Sequence, residues 1–263
     1  MNPDTTTQNI KFKLTIAYDG TAYQGWQQQK TGTGIQQKLE AALAKLFPSK
    51  PKLHSASRTD SGVHALGMVA HFEVPAAEFR KRRMPIQHLP LAINAWLPDD
   101  IRVTKAQRVH LDFHARFDAV AKQYRYFVWN HPVMNPLLRH TAWHVPRQLD
   151  LGAMRTAARQ FVGRHDFRAF FANPGYPKQN TVRTVTRCTL KKSGHLLTFV
   201  IEADGFLYKM CRGIVGTLVQ VGLGKFTPAQ VGEMLASKDR RLAGMNAPAH
   251  GLVLWKVKYK SGK

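Results

Sequence analysis

Two side-chain periodicities follow one another in the same order twice along this chain of 263 residues. Phe12, Leu14, Ile16 and Tyr18 alternate, which predicts a strand over 11–18. Ile35, Leu39, Ala42, Leu43 and Leu46 recur at helical spacing and predict a helix over 35–47. Strands are expected over 52–57 and around Met68, Ala70, Phe72 and Val74, then a helix over 86–96 that stops before Pro98, then an extended segment over 101–109. The second half repeats the order. A strand is expected over 120–129 and a helix over 151–162, between an Asp150 N-cap and Gly163. A strand pair over 181–190 and 195–203 turns at Ser193-Gly194. An apolar helix over 206–221 follows, then a helix from Thr227-Pro228 with Thr227 and Gln230 spaced as a capping box. In the final strand Val253, Trp255, Val257 and Tyr259 share a face opposite the lysines.

Two β-α-β-β-α-β halves predict an α+β fold of two ferredoxin-like lobes with antiparallel sheets. The expected organisation is a disordered tail over 1–10, an N-terminal lobe over 11–112 and a C-terminal lobe over 113–263. The halves show no close sequence repeat, so the duplication is one of architecture. Aromatics on a central strand, the mark of RNA-recognition domains, are not evident.

Charge narrows the partner. Lysine and arginine number 39 against 16 aspartates and glutamates, a net charge of +23. Such an excess points to a polyanion, and to nucleic acid before an anionic membrane, because no basic amphipathic helix or lipidation motif accompanies it. The densest cluster is Arg80, Lys81, Arg82, Arg83; smaller ones are Lys191–Lys192 and Lys256, Lys258, Lys260. These read as RNA-binding candidates or as solvated faces. No apolar stretch reaches the roughly 18 residues of a membrane span, and the polar start, Met1 to Asn9, lacks an apolar signal core. Two cysteines make no disulfide framework, in keeping with a cytoplasmic location. Among the twelve histidines, His110 with His114 and His140 with His144 are i, i+4 pairs without a metal-binding motif, so no metal is expected. Without a P-loop or GxGxxG, no nucleotide cofactor is expected either.

Chemistry is most concentrated in Ser57-Arg58-Thr59-Asp60-Ser61-Gly62-Val63-His64-Ala65, between two expected strands. An aspartate in such a loop near cations stays ionised and can act as a nucleophile. Taken alone, the same residues equally describe an Asx-turn with Arg58 on the surface, and that is the commoner case.

This segment resembles the catalytic loop of the tRNA pseudouridine synthase A family, whose usual form is G-R-T-D-A-G-V-H. The resemblance extends over residues 12 to 259. It includes Tyr18-Asp19-Gly20-Thr21-Ala22-Tyr23-Gln24-Gly25-Trp26-Gln27, Phe113-His114-Ala115-Arg116-Phe117 and Tyr124-Arg125-Tyr126. It continues through Gly163-Arg164-His165-Asp166-Phe167, Gly205-Phe206-Leu207-Tyr208-Lys209-Met210-Cys211-Arg212 and Pro248-Ala249-His250-Gly251-Leu252. Ser57 stands where glycine is usual, Ser61 where alanine is usual and Cys211 where an aliphatic residue is usual; none of these replaces a reacting group.

The resemblance implies a pseudouridine synthase core and an isomerase acting on uridines 38, 39 and/or 40 of the tRNA anticodon arm. It implies a homodimer and no cofactor. Asp60 would be the catalytic residue, with attack at C1′, attack at C6 and assistance to a glycal path all compatible with it. Arg58 would take the place of the flipped uridine, Tyr124 would stack on the uracil, Arg212 would pair with the aspartate and Leu252 would floor the base pocket. The uridine must leave its stack to be reached, at a cost of a few kcal/mol. A non-catalytic RNA-binding protein and a synthase for another RNA are the competing readings.

Overall fold

The computed structural model describes residues 8–27, 32–172 and 180–260. In chain order it contains β1 (Asn9–Tyr18), α1 (Ile35–Leu46), β2 (His54–Ser55), β3 (His64–Pro75), α2 (Ala76–Lys81), α3 (Leu89–Asn94), β4 (Ile101–Val109) and β5 (Ala119–Trp129). There follow β6 (Trp143–His144), α4 (Leu151–Arg159), β7 (Gly163–Asp166), β8 (Val182–Ser193), β9 (Leu196–Ala203), α5 (Met210–Gly222), α6 (Pro228–Ser237) and β10 (Leu252–Tyr259). The fold is α+β and mainly antiparallel, as expected; β6 pairs parallel, on β5.

The chain divides into two compact units: one runs to Val120 and resumes at Leu254, the other is Ala121–Val253. The expected boundary at 112/113 thus moves to Val120. The last strand returns to the first unit, because an apolar strand with buried Leu254 and Val257 needs a sheet neighbour and finds one in β3. Of the expected N-terminal tail, residues 1–7 lie outside the described residues. Asn9 and Ile10 already belong to β1, and the Gln8 carbonyl accepts from the Ala76 N–H.

In the first unit the strands order β4-β1-β3-β10, with β2 also on β3. The alternation of β1 sends Phe12, Leu14 and Ile16 into the core, where each is almost fully buried. Phe12 meets Phe72 and Phe79, and Phe47, just past α1, meets Phe72. α1 buries Ile35, Leu39, Ala42, Leu43 and Leu46, the residues its periodicity singled out. Burying each of these large side chains contributes roughly 1.5–3 kcal/mol, more than a twelve-residue helix gains from propensity alone.

The second unit orders β5-β9-β8-β7. The helix expected over 151–162 starts on its Asp150 cap, which accepts from the Ala153 N–H at 2.9 Å, but ends at Arg159; Gln160–Val162 tighten into i→i+3 turns before β7. The capping box of Thr227 and Gln230 is formed in both directions. The helix expected over 206–221 begins only at Met210, because Lys209 adopts a left-handed backbone (φ +59°).

Beside β3 the first unit holds a group of imidazoles. His71 on β3 is buried, lies beside His54 and His114, and accepts the Ala115 N–H on Nδ1 at 3.1 Å. Burial, reinforced by His114, His54 and Lys11 and opposed by Glu73, pushes its pKa down from 6.5 to about 4. The unfolded chain therefore binds a proton at pH values where the folded one does not. The contribution is fully present above about 6.5 and is lost as pH falls toward about 4. Urea midpoints measured from pH 7.5 to 4.5 should fall steeply in the wild type. They should fall less in His71→Asn, whose amide oxygen can still accept from Ala115.

Candidate active site

The Asp60 loop is shaped by a backbone clamp. β2 pairs for only two residues, leaving residues 56–63 to form the loop into β3. Thr59 and Val63 are buried, Asp60 is half-buried and Arg58 is exposed at the rim. The Val63 N–H closes a turn onto the Asp60 carbonyl at 3.2 Å, with Gly62 at φ +74°.

The segment after β1 lies directly against this loop. The Trp26 N–H donates to the Thr59 carbonyl at 3.1 Å, the Gly62 N–H to the Tyr23 carbonyl at 3.3 Å, and the Ser61 hydroxyl to the same carbonyl at 3.2 Å. The Tyr18 and Thr59 hydroxyls are 2.8 Å apart. Such contact requires glycine. A Cβ on Gly25, which has φ +88°, would stand 2.5 Å from the Thr59 carbonyl oxygen, and one on Gly20 would stand 2.1 Å from that of Val63.

Polar side chains brace the clamp from behind. The Tyr23 hydroxyl donates to Asp100 at 2.6 Å; burial and then the Asp100 carboxylate push the Tyr23 pKa up. His64 Nδ1 lies 3.1 Å from the Gly20 nitrogen and 3.0 Å from Asp19 Oδ1. Partial burial opposes ionisation of Asp19, but hydrogen bonds from Thr21 and the nearby His64 outweigh it and hold the carboxyl below the usual range.

In the second unit Tyr124 and Tyr126 share one buried face of β5. Tyr124 meets Phe206 edge-to-face at 5.0 Å and 82°. That contact uses a residue of the expected helix, which the left-handed Lys209 leaves outside α5. The Tyr126 hydroxyl donates to the Pro248 carbonyl at 2.8 Å; burial raises its pKa, with Arg212 acting the other way. Arg212 occupies the first turn of α5, where its Nε donates to the Ala247 carbonyl at 2.7 Å and its own carbonyl accepts the Ala247 N–H at 2.9 Å. Leu252 is buried at the start of β10.

Each unit thus assembles its own candidates: Arg58 and Asp60 on one loop of the first, Tyr124, Arg212 and Leu252 around β5, α5 and the 247–252 turn of the second. The basic cluster belongs to neither group. Arg80 and Lys81 end α2 and Arg82 and Arg83 follow it, all exposed, after the far end of β3 from Asp60. Eleven residue steps at about 3.3 Å put that end roughly 36 Å from the loop. Arg82 moreover donates to the Leu46 carbonyl at the C-terminus of α1. Among the described residues no group of three or more acidic, histidine or cysteine side chains is placed to hold a metal ion. No helix of the described residues is long and apolar enough to cross a membrane.

The family model described as tRNA pseudouridine synthase matches residues 14–118 and 157–260. A tRNA pseudouridine synthase A from Methylacidiphilum infernorum is 44% identical over 250 residues, covering 95% of this chain and 96% of that one. Those of Acetivibrio thermocellus and Bacillus subtilis are 44% and 43% identical over 247 and 252 residues, covering 94% and 95% of this chain and 98% and 99% of theirs. The chain belongs to the tRNA pseudouridine synthase family, and it is accordingly an isomerase.

If the clamp sets the loop, Gly25→Ala should cost more than the about 1–2 kcal/mol of a left-handed alanine, since its Cβ also meets the Thr59 carbonyl. Urea denaturation measures the loss. A variant as stable as the wild type would show that the two backbones are not held together.

Proposed function

We propose that the protein isomerises uridine to pseudouridine at positions 38, 39 and 40 of the tRNA anticodon arm, with Asp60 as the reacting carboxylate. The observation that carries the assignment is the half-buried Asp60 on a loop clamped backbone to backbone, in a chain of this family. The N1–C1′ bond breaks, the uracil turns, and C5 bonds to C1′. The C5 hydrogen leaves as a proton and N1 gains one, so the reaction is neutral in atoms and electrons and calls for no cofactor. Arg58, exposed beside Asp60, fills the place of the flipped nucleotide and holds its backbone. Tyr124 stacks on the uracil, Leu252 supplies an aliphatic surface to the base, and Arg212, in the first turn of α5, supplies a cation to the reaction. The protein works in the cytoplasm as a homodimer, across which the tRNA lies. The net charge of +23 supports an extended anionic partner.

Tritium release from tRNA carrying [5-³H]uridine tests the reaction itself. The wild type should release tritium; Asp60→Asn should bind tRNA, melt like the wild type and release none. Equal release by both would rule out Asp60 as the reacting group. The basic cluster generates a separate expectation. Replacing Arg80, Lys81 and Arg83 by glutamine, with Arg82 kept for its bond to Leu46, should weaken tRNA binding. It should also flatten the log Kd against log salt slope by up to about 0.7–0.9 for each phosphate that is no longer neutralised. An unchanged slope would take this end of β3 out of the interface.

A further inference from the structure

The segment Phe113–Phe117 splits into inward and outward residues. Phe113 and Ala115 are buried, whereas Arg116 is exposed and Phe117 is 75% exposed. An exposed phenylalanine is usually a loose side chain, but this one is held. Its ring stacks on the His114 imidazole, with centroids 4.2 Å apart and planes at 28°, and the Arg116 guanidinium lies 5.8 Å from its centroid.

His114 is itself fixed. Its N–H donates to Asp118 Oδ2 at 2.9 Å and its carbonyl accepts the Asp118 N–H at 3.0 Å. Its Nδ1 accepts from the backbone N–H of Arg116 at 3.1 Å and of Phe117 at 3.3 Å. Burial, then His54 and Lys11, lower the His114 pKa, against opposition from Asp118; the ring stays neutral and Nδ1 stays an acceptor at physiological pH. The turn is tied down at Ala115, whose N–H donates to His71 and whose carbonyl accepts the Tyr259 hydroxyl at 2.7 Å.

The result is a rigid aromatic surface beside a cation on a strongly basic protein. On a chain of net charge +23 a nucleotide matches both features, a π-face for the ring and a phosphate for Arg116. We propose that Phe117 is a stacking platform for an unpaired base of the tRNA substrate, with Arg116 on the adjoining phosphate. The proposal rests on the tRNA reading above.

The test compares Phe117→Ala, Phe117→Leu and Phe117→Trp with the wild type by filter binding of an unmodified tRNA transcript at fixed salt, with sedimentation velocity on each protein. Because the ring is exposed, all three should keep the wild-type circular dichroism and urea midpoint. The Ala and Leu variants should raise Kd about tenfold, the order of one base–aromatic stack removed, and Trp should stay within about twofold of the wild type. An unchanged Kd in the Ala variant overturns the proposal. So does a Leu variant that binds as well as Trp, which would mean apolar cover rather than stacking. So does a fall in sedimentation coefficient on removing the ring, which would place a second copy there. Wild-type protein that neither binds the transcript nor releases tritium from it would instead sink the tRNA reading, and this proposal with it.

Discussion

Two stretches of backbone pressed against each other hold the Asp60 loop in place. The segment after β1 and the loop before β3 exchange main-chain hydrogen bonds at Trp26–Thr59 and Tyr23–Gly62, and side chains would separate them if Gly20 or Gly25 carried one. A loop of this length is ordinarily the mobile part of a protein. Here Thr59 and Val63 are anchored in the interior while Asp60 between them remains half-exposed, so the carboxylate is presented by a rigid frame. Preorganisation of that kind places a reacting group before substrate arrives. The residues that provide it, Tyr18, Tyr23, Asp19 and Asp100, touch the frame from behind.

The fold was legible wherever burial is one-sided. β1, α1, β4 and β9 follow their apolar periodicities because one face meets the core and the other does not; β10 buries Leu252 and Leu254 on the face expected to carry only lysines. Where a residue's role is not burial, the pattern misleads. Phe206 reads as the first apolar residue of a helix, yet it packs on Tyr124 and the helix starts four residues later, after a left-handed lysine. α2 went unread because its six residues include one buried side chain, Ala76, and no periodicity can be measured in so short a piece. Arg82 reads as one charge among four, and only the fold shows its bond to Leu46 at the end of α1. The Asp60 loop was singled out by its polar residues and its resemblance to the family's catalytic loop, but the approach of Gly20 and Gly25 to it was not. What Tyr23, Asp100 and Phe206 do depends on contacts between segments far apart in sequence, which no local pattern encodes.

A basic protein must also decide where not to place charge. Lys11 is buried, and its ammonium is satisfied by Glu73 at 3.0 Å, by the Phe113 carbonyl at 2.9 Å and by the Leu111 carbonyl. A buried ammonium that lost one of these partners would be left short of a bond in the interior, which destabilises the fold. This full set of partners also fixes the 111–113 backbone, and with it the entry to the Phe117 turn. The neighbouring His71 and His114 are both pushed toward their neutral forms, burial first and Lys11 among the further causes. One buried charge is therefore tolerated because the rings beside it stay uncharged, and their free lone pairs accept the N–H groups that shape the 114–118 turn.

The duplicated architecture shows why only one unit carries an open loop between its paired strands. In the second unit the connection corresponding to the Asp60 loop joins β8 to β9. Those strands pair as far as Ser193 and Leu196, so the link is the two residues Gly194 and His195, with Gly194 at φ +57° in a tight turn. Such a hairpin maximises ladder hydrogen bonds and leaves no backbone for a site. In the first unit β2 pairs with β3 at two positions only, and the eight residues 56–63 that an extended hairpin would have used become the loop. Their main-chain groups are not lost to water. The Ala56 N–H goes to Val69, the Thr59 carbonyl to Trp26 and the Gly62 N–H to Tyr23. The clamp thus replaces the ladder, and a strand could be shortened into a loop because the segment after β1 took over its hydrogen bonds.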